Sequence, residues 1–186
     1  MFKAISRDRE YLVSLISNGF YQTHPQTLES DLRHQSNQFV WDFTIGNNEF
    51  LGYRSSEKFH VVDFETGVVK YSSPGLHQYS QLAPPGTWFI NDAREVYRYN
   101  GTSFVLGGSL PASFNTSNFI FLNNDKVASL EGSNLVIYNG NDLTVFAIVN
   151  DVPPLDDLQF DPISNRILGA TFQSNNYIIN PDTQQI

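Results

Sequence analysis

The stretch FLGYRSSEKFHVVDFETGVVKYSS, from Phe50 to Ser73, decides the fold. It reads as three antiparallel strands, Phe50–Arg54, Phe59–Phe64 and Val68–Ser72. The turns between them are Ser55–Ser56–Glu57–Lys58 and Glu65–Thr66–Gly67. Apolar and polar residues alternate most clearly in the last strand, and Gly67 offers the positive φ that a tight hairpin needs.

Working outward, the same unit returns along the whole chain. With Leu51 as anchor, the equivalent places are Leu12, Leu51, Phe89, Ala128 and Leu168, at spacings of 39, 38, 39 and 40. A polar turn follows each anchor by 11 or 12 residues, at His24, Asp63, Asn100, Asn139 and Asn180. Two independent markers keep one period five times. A period near 39 residues with several strands per unit is the signature of propeller blades. The expected fold is all-β, a β-propeller of about five four-stranded blades, near residues 2–30, 39–73, 77–108, 114–149 and 155–186. Five blades that close on themselves would hide Phe- and Ile-rich blade faces. The alternative is a five-blade segment of a larger propeller, with such faces left open.

Composition agrees. Aromatic residues make up 14% of the 186 residues, 15 of them Phe, and such side chains favour pleated, half-buried surfaces. No stretch of ten residues holds a 3.6 period without a Gly, Pro or Asn-rich break. The formal net charge is −8. Arg7, Arg9 and the distant Arg33 are the nearest approach to a basic patch, so nucleic acid and anionic membranes are not expected partners. There is no cysteine, hence neither disulfides nor thiol chemistry. The N-terminus MFKAISRDRE lacks a signal peptide's apolar core, and no run reaches membrane-spanning length. That leaves the cytoplasm, or export after removal of a leader.

Calling the strands of each blade A to D from the inside outward, blade one runs through FKAIS, YLVSLIS and GFYQTH, with Asn18–Gly19 as a turn. PQTLES closes it, and the polar link Asp31–Gln38 leads to FVWDFTI, strand A of blade two. Blade three places Tyr79–Leu82 and Trp88–Asn91 around a Pro84–Pro85–Gly86 turn, then EVYRYN and SFVLGG around Asn100–Gly101. Blade four is NFIFL, KVASLEG, NLVIYNG and LTVFAIV; blade five is LDDLQFD, RILGATF and NYIIN, with a few residues of strand D.

HVVDFETGVV resembles the third-strand-and-turn element of WD-repeat and YVTN-type β-propellers, and FDPISNRILGATF resembles their A-to-B hairpin. The Gly-His and Trp-Asp dipeptides of WD repeats are missing from their usual places. Trp41–Asp42 is such a pair, but it stands in strand A instead of ending strand C. The resemblance implies a fold and a general binding role, with no particular activity.

Ligands of propellers meet strand ends and connecting loops. The candidate channel or rim residues are Trp41, Asp42, His77, Tyr79, Asp156 and Asp157. Asp42 with Asp156 and Asp157 would serve a glycosidase if two carboxylates converged. Short loops and local capping duties argue against it, and the three are expected to stay apart. His24, His34, His60 and His77 show no metal-ligand spacing, and no G-x-S-x-G element is present. The expectation is a non-catalytic platform for another protein, without cofactor or metal. The alternative is a lectin-like propeller or degenerate glycosidase that binds carbohydrate.

Overall fold

The computed structural model describes residues 2–5 by their main chain and residues 12–46, 50–75, 79–84, 86–123, 125–172 and 175–185 in full. Five antiparallel sheets follow one another along the chain. The first contains β1 (Phe2–Ile5), β2 (Leu12–Ile16), β3 (Gly19–Thr23) and β4 (Ser30–Gln35). The second contains β5 (Val40–Gly46), β6 (Phe50–Ser55), β7 (Phe59–Asp63) and β8 (Val69–Ser72). The third has β9 (Gln81–Leu82), β10 (Trp88–Ile90), β11 (Glu95–Tyr99) and β12 (Phe104–Ser109). The fourth has β13 (Phe119–Phe121), β14 (Lys126–Glu131), β15 (Asn134–Asn139) and β16 (Val145–Val149). The fifth has β17 (Asp157–Asp161), β18 (Arg166–Ala170) and β19 (Asn176–Ile179). Each is a meander in which sequence neighbours pair. In the fifth, a bridge from Asn180 to Gln185 stands where a fourth strand was expected.

Two stretches differ from the sequence reading. Asp31–Gln35, taken as part of a polar link, belongs to the outer strand β4, Ser30–Gln35. Its sequence SDLRHQ is polar because an outer strand has one edge in water, where charged residues also discourage pairing with other chains. The β2–β3 hairpin turns on Ser17 and Asn18, with φ of 47° and 64°, and Gly19 already belongs to β3. Asn47 and Asn48 lie outside the described residues, as does Pro85; at the Pro84–Pro85–Gly86 turn the Gly86 N–H donates to the Ala83 carbonyl at 2.8 Å.

The polar corner recurs as read, at the end of the third strand of each sheet. His24, Asp63, Asn139 and Asn180 each donate a main-chain N–H to the carbonyl five residues on, and accept one from four residues on. The residue at that fourth place lies in the left-handed region: Leu28 at 59°, Gly67 at 71°, Leu143 at 62° and Gln184 at 58°. Only one of the four is glycine. At Asn100 the corner tightens to an Asn100–Ser103 bond, with Gly101 at 95°. Asp63, Asn100 and Asn180 also cap their turns, each side-chain oxygen accepting an N–H two or three residues on.

The chain divides into two compact units, Met1–Gly107 and Gly108–Ile186. In the first, sheet two is apolar on both faces. Leu51, Tyr53 and Val62 pack with Val13 and Phe20 of sheet one. Phe50, Phe59 and Val61, on the opposite face, pack with Leu82 and Phe89 of sheet three. In the second unit, Ala128, Leu130, Leu135 and Ile137 of sheet four meet Leu158, Ile167 and Ile179 of sheet five. Each fully buried Leu, Ile, Val or Phe stabilises by about 1.5–3 kcal/mol relative to exposure.

This packing corrects the core anchors. Leu51, Phe89 and Ala128 are fully buried, but Leu12 is only half-buried and Leu168 is 44% exposed. For Leu168 the cause is register; Leu12 lies on the face opposite Val13, which meets sheet two, and so points away from the second sheet. Leu51 and Phe89 both face the preceding sheet, whereas Ala128 belongs to the face that meets the following one. One position earlier, Ile167 packs toward sheet four and Val127 lies on the face of sheet four opposite Ala128, and both are fully buried. Side chains alternate with a period of two, so a slip of one residue transfers the anchor to the other face. In sheet four both faces are buried and the slip leaves no trace in burial.

Candidate functional site

Meander topology brings the starts of the first and third strands of a sheet to the same end as the finishes of the second and fourth. In sheet two the pairs Val40–Ser55, Arg54–Phe59 and His60–Ser72 mark that end. The link from β4 to β5 crosses it and is tightly held. The Ser55 hydroxyl donates to Gln38 Oε1 at 2.7 Å, Gln38 Nε2 donates to Glu57 Oε2 at 2.6 Å, and Ser56 N–H donates to the Phe39 carbonyl at 3.1 Å.

Directly after this link the first strand bulges. Val40 pairs with Ser55 and Asp42 with Arg54, leaving Trp41 as the extra residue. The bulge keeps Val40 and Phe43 in the core and turns Trp41 outward, 66% exposed. Phe39, 59% exposed, meets it edge to face, with ring centroids 5.3 Å apart. A large aromatic pair thus stands in solvent on a fixed segment.

Two hollows are lined by chain neighbours of the pair, one by Asp42 and the other by Gln38. The first, of about 270 Å³, is lined by Asp42, Arg54, Tyr79, Ser80 and Gln81, among others. Arg54 Nη2 lies 3.2 Å from Asp42 Oδ2, while Asp42 Oδ1 accepts the Phe43 N–H at 2.8 Å. Ser80 is 3% exposed, and its hydroxyl has no hydrogen-bond partner among the described residues.

The second hollow, of about 400 Å³, includes His34, Tyr53 and His60. Sequence reasoning left these histidines scattered, because 26 residues and two different sheets separate them. Folding sets Tyr53 beside both: His60 stacks on it at 4.8 Å, and His34 lies 5.5 Å away. His34 Nδ1 faces the Gly67 carbonyl at 3.2 Å, which fixes the proton on that nitrogen. Nε2 of the neutral ring then accepts from the Tyr53 hydroxyl at 3.0 Å. His60 contacts Ser72 and Ser55 through its two nitrogens, at 2.8 and 3.4 Å. Burial lowers the pKa of His34, against a smaller upward pull from the Gly67 bond. Burial also lowers that of His60, helped by the charges of His34 and Lys58. Every ring nitrogen is engaged: His34 ties sheet one to sheet two, and the His60 hydrogen bonds stay within sheet two.

The six sequence candidates therefore fare differently. Asp42 and Tyr79 line one hollow, and Trp41 stands beside Asp42 on the bulge. Asp156 and Asp157 belong to the second unit, both exposed. Asp156 Oδ2 accepts the Phe172 N–H at 2.6 Å, and Asp157 Oδ2 accepts from Gln159 at 3.3 Å. His77 lies outside the described residues. Sequence reasoning missed Phe39, Arg54, Ser80 and the His34–Tyr53–His60 group. An aromatic two residues before Trp41 was the one available signal. Among the described residues no three His, Asp or Glu side chains gather to hold a metal, and no helix is long and apolar enough to cross a membrane.

No protein-family model matches the chain, and no curated protein matches its sequence. Solved structures do. The β-propeller domain of Cps50 (Swd1) from Myceliophteria thermophila superposes with a TM-score of 0.72 at 10% identity, over 97% of this chain and 65% of that one. An oligogalacturonate lyase in complex with manganese gives 0.68 at 12% identity, over 97% and 62%. The protein has a β-propeller fold, all-β and built of successive small antiparallel sheets. It spans a little under two thirds of the length of these two structural relatives.

Proposed function

We propose that this β-propeller is a non-catalytic platform that binds another protein through the sheet-two end carrying Phe39 and Trp41. The observation that carries the reading is the exposed aromatic pair itself. Trp is among the residues most enriched at interface hot spots, and burying two such rings supplies much of the affinity of a small interface. The hydrogen bonds of Gln38 and Ser56 hold the segment before a partner arrives, which reduces the entropy lost on binding. Gln38, Glu57 and Lys58 give a polar rim. The net charge of −8 favours a partner that is not itself acidic.

Peptides selected from a random displayed library against the immobilised chain test this. Binders are expected to lose at least about tenfold in affinity on Trp41→Ala, and a comparable amount on Phe39→Ala. Both side chains are mostly in solvent, so the variants should fold normally. Peptides that bind both variants as tightly as the parent would place the docking surface elsewhere. Cleavage of a polysaccharide by the chain, abolished by Asp42→Asn, would overturn the non-catalytic reading.

A further inference from the structure

The chain contains three Asn–Gly pairs, Asn18–Gly19, Asn100–Gly101 and Asn139–Gly140, and each sits at a turn between two strands of one sheet. Such a pair is chemically labile. The glycine main-chain nitrogen, once deprotonated, can attack the asparagine Cγ and close a five-membered ring, because glycine has no Cβ to obstruct the approach. In a folded chain the reaction needs three things: access of base to the glycine N–H, an amide free to leave, and stabilisation of the charge that forms on Oδ1. The fold meets them differently at each pair.

At two pairs it withholds them. Asn18 is half-buried in the β2–β3 turn, and Gly19 is a buried residue of β3, paired with both Ile16 and Gln35. Gly140 is also buried; its N–H donates to the Asp125 carbonyl at 2.5 Å, and Asn139 Nδ2 donates to Thr144 Oγ1 at 3.1 Å. The third pair is open. Asn100, Gly101 and Thr102 are all exposed, and among the described residues neither the Gly101 N–H nor Asn100 Nδ2 has a hydrogen-bond partner. Asn100 Oδ1, by contrast, accepts the N–H groups of both Thr102 and Ser103, each at 3.0 Å. Two main-chain donors on one carbonyl oxygen are the arrangement that stabilises the oxyanion of an acyl-transfer intermediate.

We propose that Asn100 is a site of spontaneous deamidation in the folded protein, while Asn18 and Asn139 are held intact. Hydroxide removes the Gly101 N–H proton, the nitrogen bonds to Asn100 Cγ, and the negative charge passes to Oδ1, between the Thr102 and Ser103 N–H groups. The intermediate collapses with cleavage of the Cγ–Nδ2 bond. Nδ2 takes a proton from water and leaves as ammonia, which regenerates hydroxide. Water then opens the cyclic imide at either carbonyl, giving an aspartyl or an isoaspartyl residue at position 100. Either product puts a new carboxylate into the turn between β11 and β12, and the isoaspartyl form adds a main-chain carbon as well.

The test is peptide mapping by mass spectrometry after incubation of the chain at mildly alkaline pH, alongside the same chain unfolded in urea. In urea all three asparagines precede a glycine with no structure around them and should convert at similar rates. In the folded chain, conversion at Asn100 should be at least about tenfold faster than at Asn18 or Asn139, where the turn must first open locally. Asn100→Gln should abolish the fast conversion, since the longer side chain would have to close a six-membered ring. Amide hydrogen exchange gives a second measurement that needs no variant: the Gly101 N–H should exchange at least about tenfold faster than those of Gly19 and Gly140. Conversion at Asn100 no faster than at the other two pairs would overturn the proposal. So would an Asn100 that stays intact while the unfolded chain converts, or a Gly101 N–H as protected as that of Gly140.

Discussion

Ile167 and Leu168 are adjacent on β18, and truncating each to Ala measures the register of the fifth sheet directly. Ile167 is fully buried, in the cluster formed with Leu158, Ile179 and sheet four. Its removal loses the transfer energy of the side chain and leaves a cavity between two sheets, so about 2–5 kcal/mol is expected. Leu168 points to the opposite face, pairs with Gln159 and Ile178, and is 44% exposed. Full burial of a leucine is worth about 1.5–3 kcal/mol, and here little more than half of it applies, with no enclosing wall to create a cavity. A loss of about 0.8–1.7 kcal/mol at most follows, below that of Ile167→Ala. The measurement is urea denaturation followed by far-UV circular dichroism. Tryptophan fluorescence would not serve, since Trp41 and Trp88 both belong to the first unit. The denaturant slope must be the same for parent and variants if midpoints are to be compared. Equal losses from the two substitutions, or a larger one from Leu168→Ala, would refute the one-residue slip.

The further predictions concern backbone strain and acid. A Cβ at Gly67 would stand 2.5 Å from the Arg33 carbonyl oxygen at a φ of 71°, so Gly67→Ala should lower stability by more than about 1 kcal/mol in the same denaturation assay. Leu28 occupies the equivalent left-handed place at 59° and is 73% exposed, so Leu28→Gly should leave stability unchanged or raise it by up to about 1 kcal/mol. As for acid, the folded state holds His34 and His60 neutral below the pH at which the unfolded chain, with histidine near pKa 6.5, takes up protons. Stability should therefore be level above about pH 7 and decline as pH falls through 6.5 towards the lowered folded values. Asp63 titrates separately. Burial pulls its pKa up, but hydrogen bonds from Thr66 and the Lys70 charge outweigh this, so its contribution disappears only below the ordinary carboxylate range. Melting temperatures of the parent and of His34→Gln between pH 7.5 and 5 check the assignment, and the variant should lose less on acidification. An equally steep decline in both would rule out His34.

How much of this was legible in the sequence depends on the range of the interaction concerned. The strands, the period near 39 residues and the polar corners were written locally. Alternation, Asx capping and turn length act within about ten residues, and Asp63, Asn100, Asn139 and Asn180 all take the places assigned to them. Even so, three corners fill the left-handed position with Leu28, Leu143 and Gln184, because closing the hairpin outweighs the modest cost of positive φ for an ordinary residue. The polarity of SDLRHQ suggested a link, when an outer strand is polar for reasons of exposure.

Only the tertiary structure decided which face each anchor serves, since Ala128 and Val127 are equally apolar and equally buried. The same holds for the site. Asp42 and Tyr79 stand out in the sequence as residue types, but their convergence with Arg54 and the buried Ser80 depends on a bulge at Trp41 and the contact of two sheets. His34 and His60 meet around Tyr53 for a like reason: packing of sheet one on sheet two juxtaposes residues whose separation along the chain carries no information about it. Local rules set what each segment is, and the packing of one sheet on the next sets what its side chains can do.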